Sequence, residues 1–214
     1  GEAIVEFVQA LCGVSWEEIQ SSGMSESPRL FSLQKLVEIS YYNMGRIRME
    51  WSRLWSILGE HFNQVCCHPN SSVSAFGLDS LRQLAVKFLE KEELAHFKFQ
   101  KDFLKPFQHT MRRNPDVGAK EMVLQCLEQM MQSRSENMRS GWCTMLGVFG
   151  VAASQPERAA LYAFDLVVRV RTEHLAAIMR SGAFSDLCVC AAHFAKTGNQ
   201  KVSLQATELL QSLV

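Results

Sequence analysis

An all-α fold, specifically an α-solenoid of HEAT- or armadillo-like repeats, is predicted by three features of this 214-residue chain. First, apolar residues recur at helical spacing: Ile47, Trp51, Leu54, Trp55 and Leu58 fall at i, i+4, i+7, i+8 and i+11 and draw one stripe. Second, of five prolines, Pro69, Pro115 and Pro156 open helical patterns, where a missing N–H and a fixed φ cost nothing. Third, the sequence after those prolines repeats. Steps of four, eight, eleven, twelve and fifteen from Pro69 give Val73, Gly77, Ser80, Leu81 and Leu84, and from Pro115 give Ala119, Val123, Cys126, Leu127 and Met130. From Gly198 they give Val202, Ala206, Leu209, Leu210 and Leu213; from Pro156 they give Ala160, Phe164, Val167 and Val168, then miss at Arg171. The anchors lie 46, 41 and 42 residues apart, within the roughly 40–47 of such arrays. A helical hairpin cannot bury its apolar face alone, so successive hairpins stack on a shared core. The expectation is a single helical-repeat domain over 1–214, with repeats beginning near 28, 69, 115, 156 and 198.

Each element has its own signal. A helix over 2–12 is followed by one over 15–22, opened by Ser15 and Glu18 as a capping box. Helices over 28–44 and 47–67 are hinged at "NMG", where Asn43 and Gly45 tolerate left-handed backbone. Between them they place Leu36, Val37, Met44, Ile47, Trp51, Leu54 and Trp55 toward the core. Asn70 caps a helix over 70–90. A helix over 92–113 starts with Glu92 and Glu93, whose charge suits the positive end of its dipole, and carries Pro106, which should bend or break it. Helices over 116–133, 137–153, 156–179, 184–196 and 199–213 complete the chain, the last capped by Asn199.

Composition restricts the function. Lys plus Arg and Asp plus Glu both number 22, so the global basic excess of a nucleic-acid binder is absent and any electrostatic function is local. The seven cysteines sit mostly within apolar helical patterns, which suits reduced buried thiols better than a disulfide framework. The most apolar run, "WCTMLGVFGVAA" at 142–153, has twelve residues where a membrane span needs about twenty. Together with the lack of a signal-peptide pattern at the start, this predicts a cytoplasmic protein. The chain begins at Gly1 and stops at Val214 inside an unfinished amphipathic pattern, as expected of a piece of a longer protein.

Four groups of residues invite a functional reading. "LVEISYYNMGRIRMEWSRLW" (36–55) offers Arg46, Arg48 and Arg53 beside aromatic residues that are read as core; Glu50 could pair with Arg46 or Arg53. "HFKFQKDFLKPFQHTMRR" (96–113) sets Lys98, Lys101, Lys105, Arg112 and Arg113 against one acid, Asp102. Its Phe99, Phe103, Phe107 and Met111 step by four, giving a basic amphipathic helix that could meet an anionic membrane or an acidic partner. On the competing reading the phenylalanines are core and the lysines solvate the outside. "CCH" at 66–68 and "CVCAAH" at 188–193 lack the spacing of a structural zinc site and are read as buried thiols with incidental histidines. No glycine phosphate loop, nucleophile elbow or HExxH pair is present, so no catalytic residue, cofactor or metal is expected.

Three long stretches carry a resemblance: "LQKLVEISYYNMGRIRMEWSRLW" (33–55), "LDSLRQLAVKFLEKEELAHFKFQKDFLKPF" (78–107) and "NMRSGW" (137–142). They resemble the large Golgi Arf guanine-nucleotide exchange factors of the brefeldin-A-inhibited type, in the first homology region downstream of the catalytic exchange domain. The match is strong over about 28–150 and holds in pattern beyond. Near Cys66 and His68 the family pattern has glycine and asparagine, a departure that argues further against a metal. The resemblance implies a non-catalytic helical-repeat region of a peripheral trans-Golgi protein, since the exchange glutamate lies upstream in family members. It implies as partners a GTP-loaded Arf GTPase, the anionic Golgi surface and the upstream exchange domain. Arg46, Arg48, Arg53, Lys98, Lys101, Lys105, Arg112 and Arg113 are the candidate contacts. The alternative is a structural role without direct Arf or lipid contact, as a brace for the adjacent catalytic domain or as a scaffold for a homodimer through the parent protein.

Overall fold

The computed structural model describes residues 1–45 and 48–214; Arg46, Ile47 and the side chain of Arg48 lie outside the described residues. Among the described residues there are twelve α-helices, one 3-10 turn and no strand. They form two compact units, Gly1–Phe88 and Leu89–Val214.

The first unit holds α1 (Glu2–Ser22), α2 (Phe31–Asn43), α3 (Arg48–Cys66) and α4 (Ser71–Phe88). α1 packs on α2 and α3, and α4 packs on α2 and α3. Of the stripe expected here, Trp51, Leu54, Trp55 and Leu58 are core, while Ile47 lies outside the described residues; Phe62 is core as well, with Trp55 stacked on it at 5.9 Å between ring centroids. Leu36 joins them, whereas Val37 and Met44 are half-buried. Helix α4 can approach α3 closely because Gly77 lacks a side chain: a Cβ there would stand 2.7 Å from Val65 Cγ1 and 3.1 Å from Cys66 Sγ.

Three local expectations are corrected in this unit. Residues 2–22 form one helix, because Ser15 caps nothing; its hydroxyl is buried and lies 2.8 Å from His61 Nε2 on α3. Glu18, the other half of the expected capping box, instead reaches the start of α2, accepting from Phe31 N at 2.8 Å and Ser32 Oγ at 2.6 Å. Gly45 needs no left-handed backbone, since among the described residues only Gly182 has a positive φ. Asn70 does cap α4: its Oδ1 accepts from Ser72 N at 2.9 Å. The same side chain donates through Nδ2 to Gly23 O and Ser25 O, fastening the loop that follows α1.

The second unit runs α5 (Gln100–Phe103), α6 (Lys105–Arg113), α7 (Val117–Arg134), the 3-10 turn Ser135–Asn137, α8 (Gly141–Ala152), α9 (Glu157–Glu173), α10 (Leu175–Ser181), α11 (Phe184–Ala195) and α12 (Gln200–Leu213). Helix α8, the apolar run of the sequence, packs against α5, α6, α9 and α11. A helix apolar all round is a buried one, and Trp142, Met145, Leu146, Val148 and Phe149 are fully enclosed. The helix expected over 156–179 is two helices meeting at His174, and Gly182, at φ 73°, ends α10 in the left-handed conformation.

In the structure the positions of the expected repeat register count from the helix N-cap rather than from the proline. Asn70, Asp116, Pro156 and Asn199 cap α4, α7, α9 and α12, 46, 40 and 43 residues apart. Pro69 and Pro115 precede their caps by one residue, whereas Pro156 is itself the cap, so the third copy is displaced by one. Counted from the cap, the set is Ala159, Ala163, Leu166, Val167 and Val170, all buried. The miss at Arg171 disappears.

Candidate functional site

The expected helix over 92–113 does not exist. Residues 89–99 form turns and irregular backbone, followed by the single turn of α5 and by α6. Leu104 separates the two helices, and Pro106 falls in the first turn of α6, where its ring is tolerated.

Polar side chains from distant parts of the unit make this shape. Glu93 accepts from Gln100 N at 2.9 Å, Ser140 N at 2.8 Å and Ser140 Oγ at 2.6 Å. The amide of Gln100 is buried; its Oε1 accepts from Arg139 N at 2.7 Å and its Nε2 donates to Asn137 O at 2.8 Å. Asn137 Nδ2 donates to Leu89 O and Glu90 O, the same fastening that Asn70 makes in the first unit. Arg139 pairs with Glu92. Glu92 and Glu93 therefore hold a loop rather than complement a helix dipole. The hub accounts for "NMRSGW": Gly141 lies where a Cβ would stand 3.2 Å from both Gln100 Oε1 and Leu104 Cδ1.

On this hub sit the lysines. Phe99, Phe103, Phe107 and Met111 are all buried, with Phe97 stacked on Phe99 at 5.7 Å, so no amphipathic helix is left to lie on a membrane. Lys98, Lys101, Lys105, Arg112 and Arg113 are exposed. The backbone of Lys101 is held from both sides, its N–H donating to Ser140 Oγ at 3.2 Å and its carbonyl accepting from Thr144 Oγ1 at 2.8 Å. Lys105 pairs with Asp102 at 2.6 Å. Arg53 is exposed on α3 in the other unit, and Arg46 and the Arg48 side chain lie outside the described residues.

The cysteine and histidine clusters are only partly the buried thiols expected: Cys67 and Cys188 are half-buried, and His193 is exposed. His68 Nδ1 accepts from Asn70 N at 3.0 Å, and burial lowers its pKa. Cys66 and Cys190 are core, and burial pushes the Cys190 thiol far up. Among the described residues no three His, Cys, Asp or Glu side chains converge as metal ligands, and no helix is long and apolar enough to cross a membrane.

Two features were missed in the sequence. One is the ion-paired face of α7 and α9, where Glu128 accepts from Tyr162 Oη and Arg169; these hydrogen bonds, Tyr162's first, lower the Glu128 pKa, while burial raises that of the phenol. The other is an open groove of about 780 Å³ between α6, α8 and α11. Gly147 and Gly150, three apart inside the apolar run, form its floor and were the available signal.

Residues 87–169, which contain the entire hub, match the family model described as Mon2/Sec7/BIG1-like, HDS. The chain is 51% identical over 99% of its length to the ADP-ribosylation factor guanine nucleotide-exchange factor sec71 of Schizosaccharomyces pombe. Residues 87–169 belong to this Sec7/BIG1-like HDS family. The HDS chain is also 48% identical over 99% of its length to the human Brefeldin A-inhibited guanine nucleotide-exchange protein 1, and 44% over 98% to the Arabidopsis thaliana protein of that name. It spans 12% of the length of each of these relatives.

Proposed function

We propose that this HDS chain is a non-catalytic recruitment and regulatory region of an Arf guanine-nucleotide exchange factor. On this reading it binds an Arf-family GTPase in the GTP state and rests a cationic edge on the anionic Golgi surface, controlling exchange by a catalytic domain elsewhere in the parent protein. It treats 1–214 as one array of repeats, on the strength of the shared N-cap register. The observation that carries it is the segment 98–105, in which the apolar side chains are buried and Lys98, Lys101 and Lys105 are left outward on a backbone pinned by the hub. Cations held on a rigid support attract an anionic surface without the cost of ordering a loop. Arg112, Arg113 and, in the first unit, Arg53 extend the set of contacts, with Arg46 and Arg48 beside the last in sequence.

Flotation with anionic liposomes, with and without membrane-anchored, GTP-loaded Arf, tests the reading. Recovery with liposomes is expected to rise with the GTPase and to fall when Lys98, Lys101 and Lys105 become Glu; equal recovery in all conditions overturns it. The structural alternative is a brace or dimerisation scaffold for the catalytic domain. It predicts that deleting the region changes exchange rates in solution, without liposomes.

A further inference from the structure

We propose that the groove between α6, α8 and α11 is a docking site for a short extended peptide that carries an apolar side chain and, next to it, a carboxylate. The proposal goes beyond the recruitment reading, because of the cations invoked there only Arg112 lines this groove.

One face of α11 makes a wall of the groove: Asp186, Val189, His193 and Lys196 follow at i, i+3, i+7 and i+10. At 1.5 Å per residue the acid and the lysine are separated by about 15 Å along the helix, the length of four to five extended residues at about 3.3 Å each. The wall is thus acidic at one end, basic at the other and apolar between, where Val189 is 58% exposed. The facing wall, α6, contributes Gln108 and Arg112.

The floor is backbone. A Cβ on Gly147 would stand 3.0 Å from Gln108 Nε2, and one on Gly150 3.3 Å from His193 Cδ2. Side chains at these two positions would fill the groove, and their absence lets another main chain approach α8 closely. Its volume of about 780 Å³ falls within the roughly 300–1,000 Å³ of small-ligand sites.

Charge decides the occupant. Four arginines elsewhere in this unit are neutralised within the fold: Arg134 by Glu90, Arg139 by Glu92, Arg158 by Glu121 and Arg169 by Glu128. In the groove the side chains of Arg112, Lys196, His193 and Gln108 have no hydrogen-bond or ion-pair partner among the described residues. Donors without acceptors beside an apolar stripe fit a carboxylate flanked by an apolar side chain. A lipid headgroup or free phosphate would use the cations and leave Val189, Val151 and the glycine floor without a role.

The probe is a fluorescein-labelled decapeptide of alternating Leu and Glu, titrated with the 214-residue chain and read by anisotropy. Comparison peptides replace Glu by Gln or Leu by Ser, and a fourth arm uses vesicles containing a phosphoinositide. Binding of the Leu-Glu peptide is expected, weakening with salt, and falling about tenfold or more for the Gln and Ser versions, a change of about 1.4 kcal/mol or more. The same loss is expected for Val189→Glu and for Arg112→Glu with Lys196→Glu. All three side chains are exposed, so circular dichroism and melting temperature should stay at wild type. Lys101→Glu, outside the groove, should leave peptide binding unchanged. Equal binding of the Gln peptide, insensitivity to Val189→Glu, or capture only of phosphoinositide vesicles through Arg112 and Lys196 would each overturn the proposal.

Discussion

Glu93 grips Ser140 with both carboxylate oxygens, accepting the backbone N–H at 2.8 Å and the hydroxyl at 2.6 Å across 47 residues of chain. A third bond, from Gln100 N, makes this one side chain the junction of the irregular segment with α5 and α8.

Replacing Glu93 by Ala leaves those three donors without their acceptor. Hydrogen bonds to a charged group contribute about 1.5–3 kcal/mol, so Glu93→Ala should lower the stability of the second unit by about 2–4 kcal/mol. Amide hydrogen exchange should show loss of protection at Gln100, Lys101 and Ser140. Unchanged protection there would show that the carboxylate is dispensable.

Between α3 and α4 the expected defect is excess volume. Gly77→Ala gains helix propensity of about 1 kcal/mol but drives a methyl into Val65 and Cys66, an overpacking of about 1–3 kcal/mol. Both neighbours are enclosed, so the net effect is destabilising by about 1 kcal/mol, readable in urea denaturation.

His61 makes the first unit sensitive to acid. Burial holds its pKa at about 4, below the ordinary 6.5, so in that window the folded chain binds fewer protons than the unfolded one. Stability is full above pH 6.5 and falls as the pH drops toward 4, by up to about 3 kcal/mol in all. His68, also lowered by burial, adds in the same direction in this unit, and His174 acts likewise in the second unit. In His61→Gln, which keeps a polar partner for Ser15, the slope of stability between pH 6.5 and 4 should flatten; an unaltered slope would refute the assignment.

The phenylalanines and lysines of 96–113 should separate cleanly. Phe107→Ala removes an enclosed ring and should cost about 3–5 kcal/mol. Lys98, Lys101 and Lys105 changed together to Glu should shift stability by about 1 kcal/mol or less, because the ion pair given up among the described residues, Lys105 with Asp102, is exposed. Thermal melts distinguish the two, and liposome recovery should follow the lysine set.

Periodicity was legible in the sequence wherever a helix buries one face over several turns. The stripe of α3, the caps Asn70 and Asn199 and the all-round burial of α8 follow from it. The order of Lys98, Phe99, Lys101, Phe103, Lys105 and Phe107 also fits a helix, and there the pattern misled. Pro106 did mark the break before α6, but what keeps 89–99 out of a helix is not local: Glu93, Gln100 and Ser140 are ordinary helix-surface residues until folding brings 137–141 beside them. Ser15 and Glu18 failed for the same reason. Their spacing is that of a cap, but their partners, His61 and the start of α2, lie 46 and 13 residues away. The groove needed three helices to exist before it could be seen. Only the Gly147 and Gly150 pair announced it.

The fastening of Leu89 and Glu90 by Asn137, and of Gln100 by Glu93, has a consequence for synthesis. As the chain leaves the ribosome, residues 89–99 emerge some forty residues ahead of the groups that hold them, with no helical ladder of their own to close. Their order is therefore acquired late, when 137–141 arrive, and until then Phe97, Phe99 and Phe103 are open to water and to chaperones. Lesions in 137–141 should consequently show first as low yield from cells, ahead of any defect in binding.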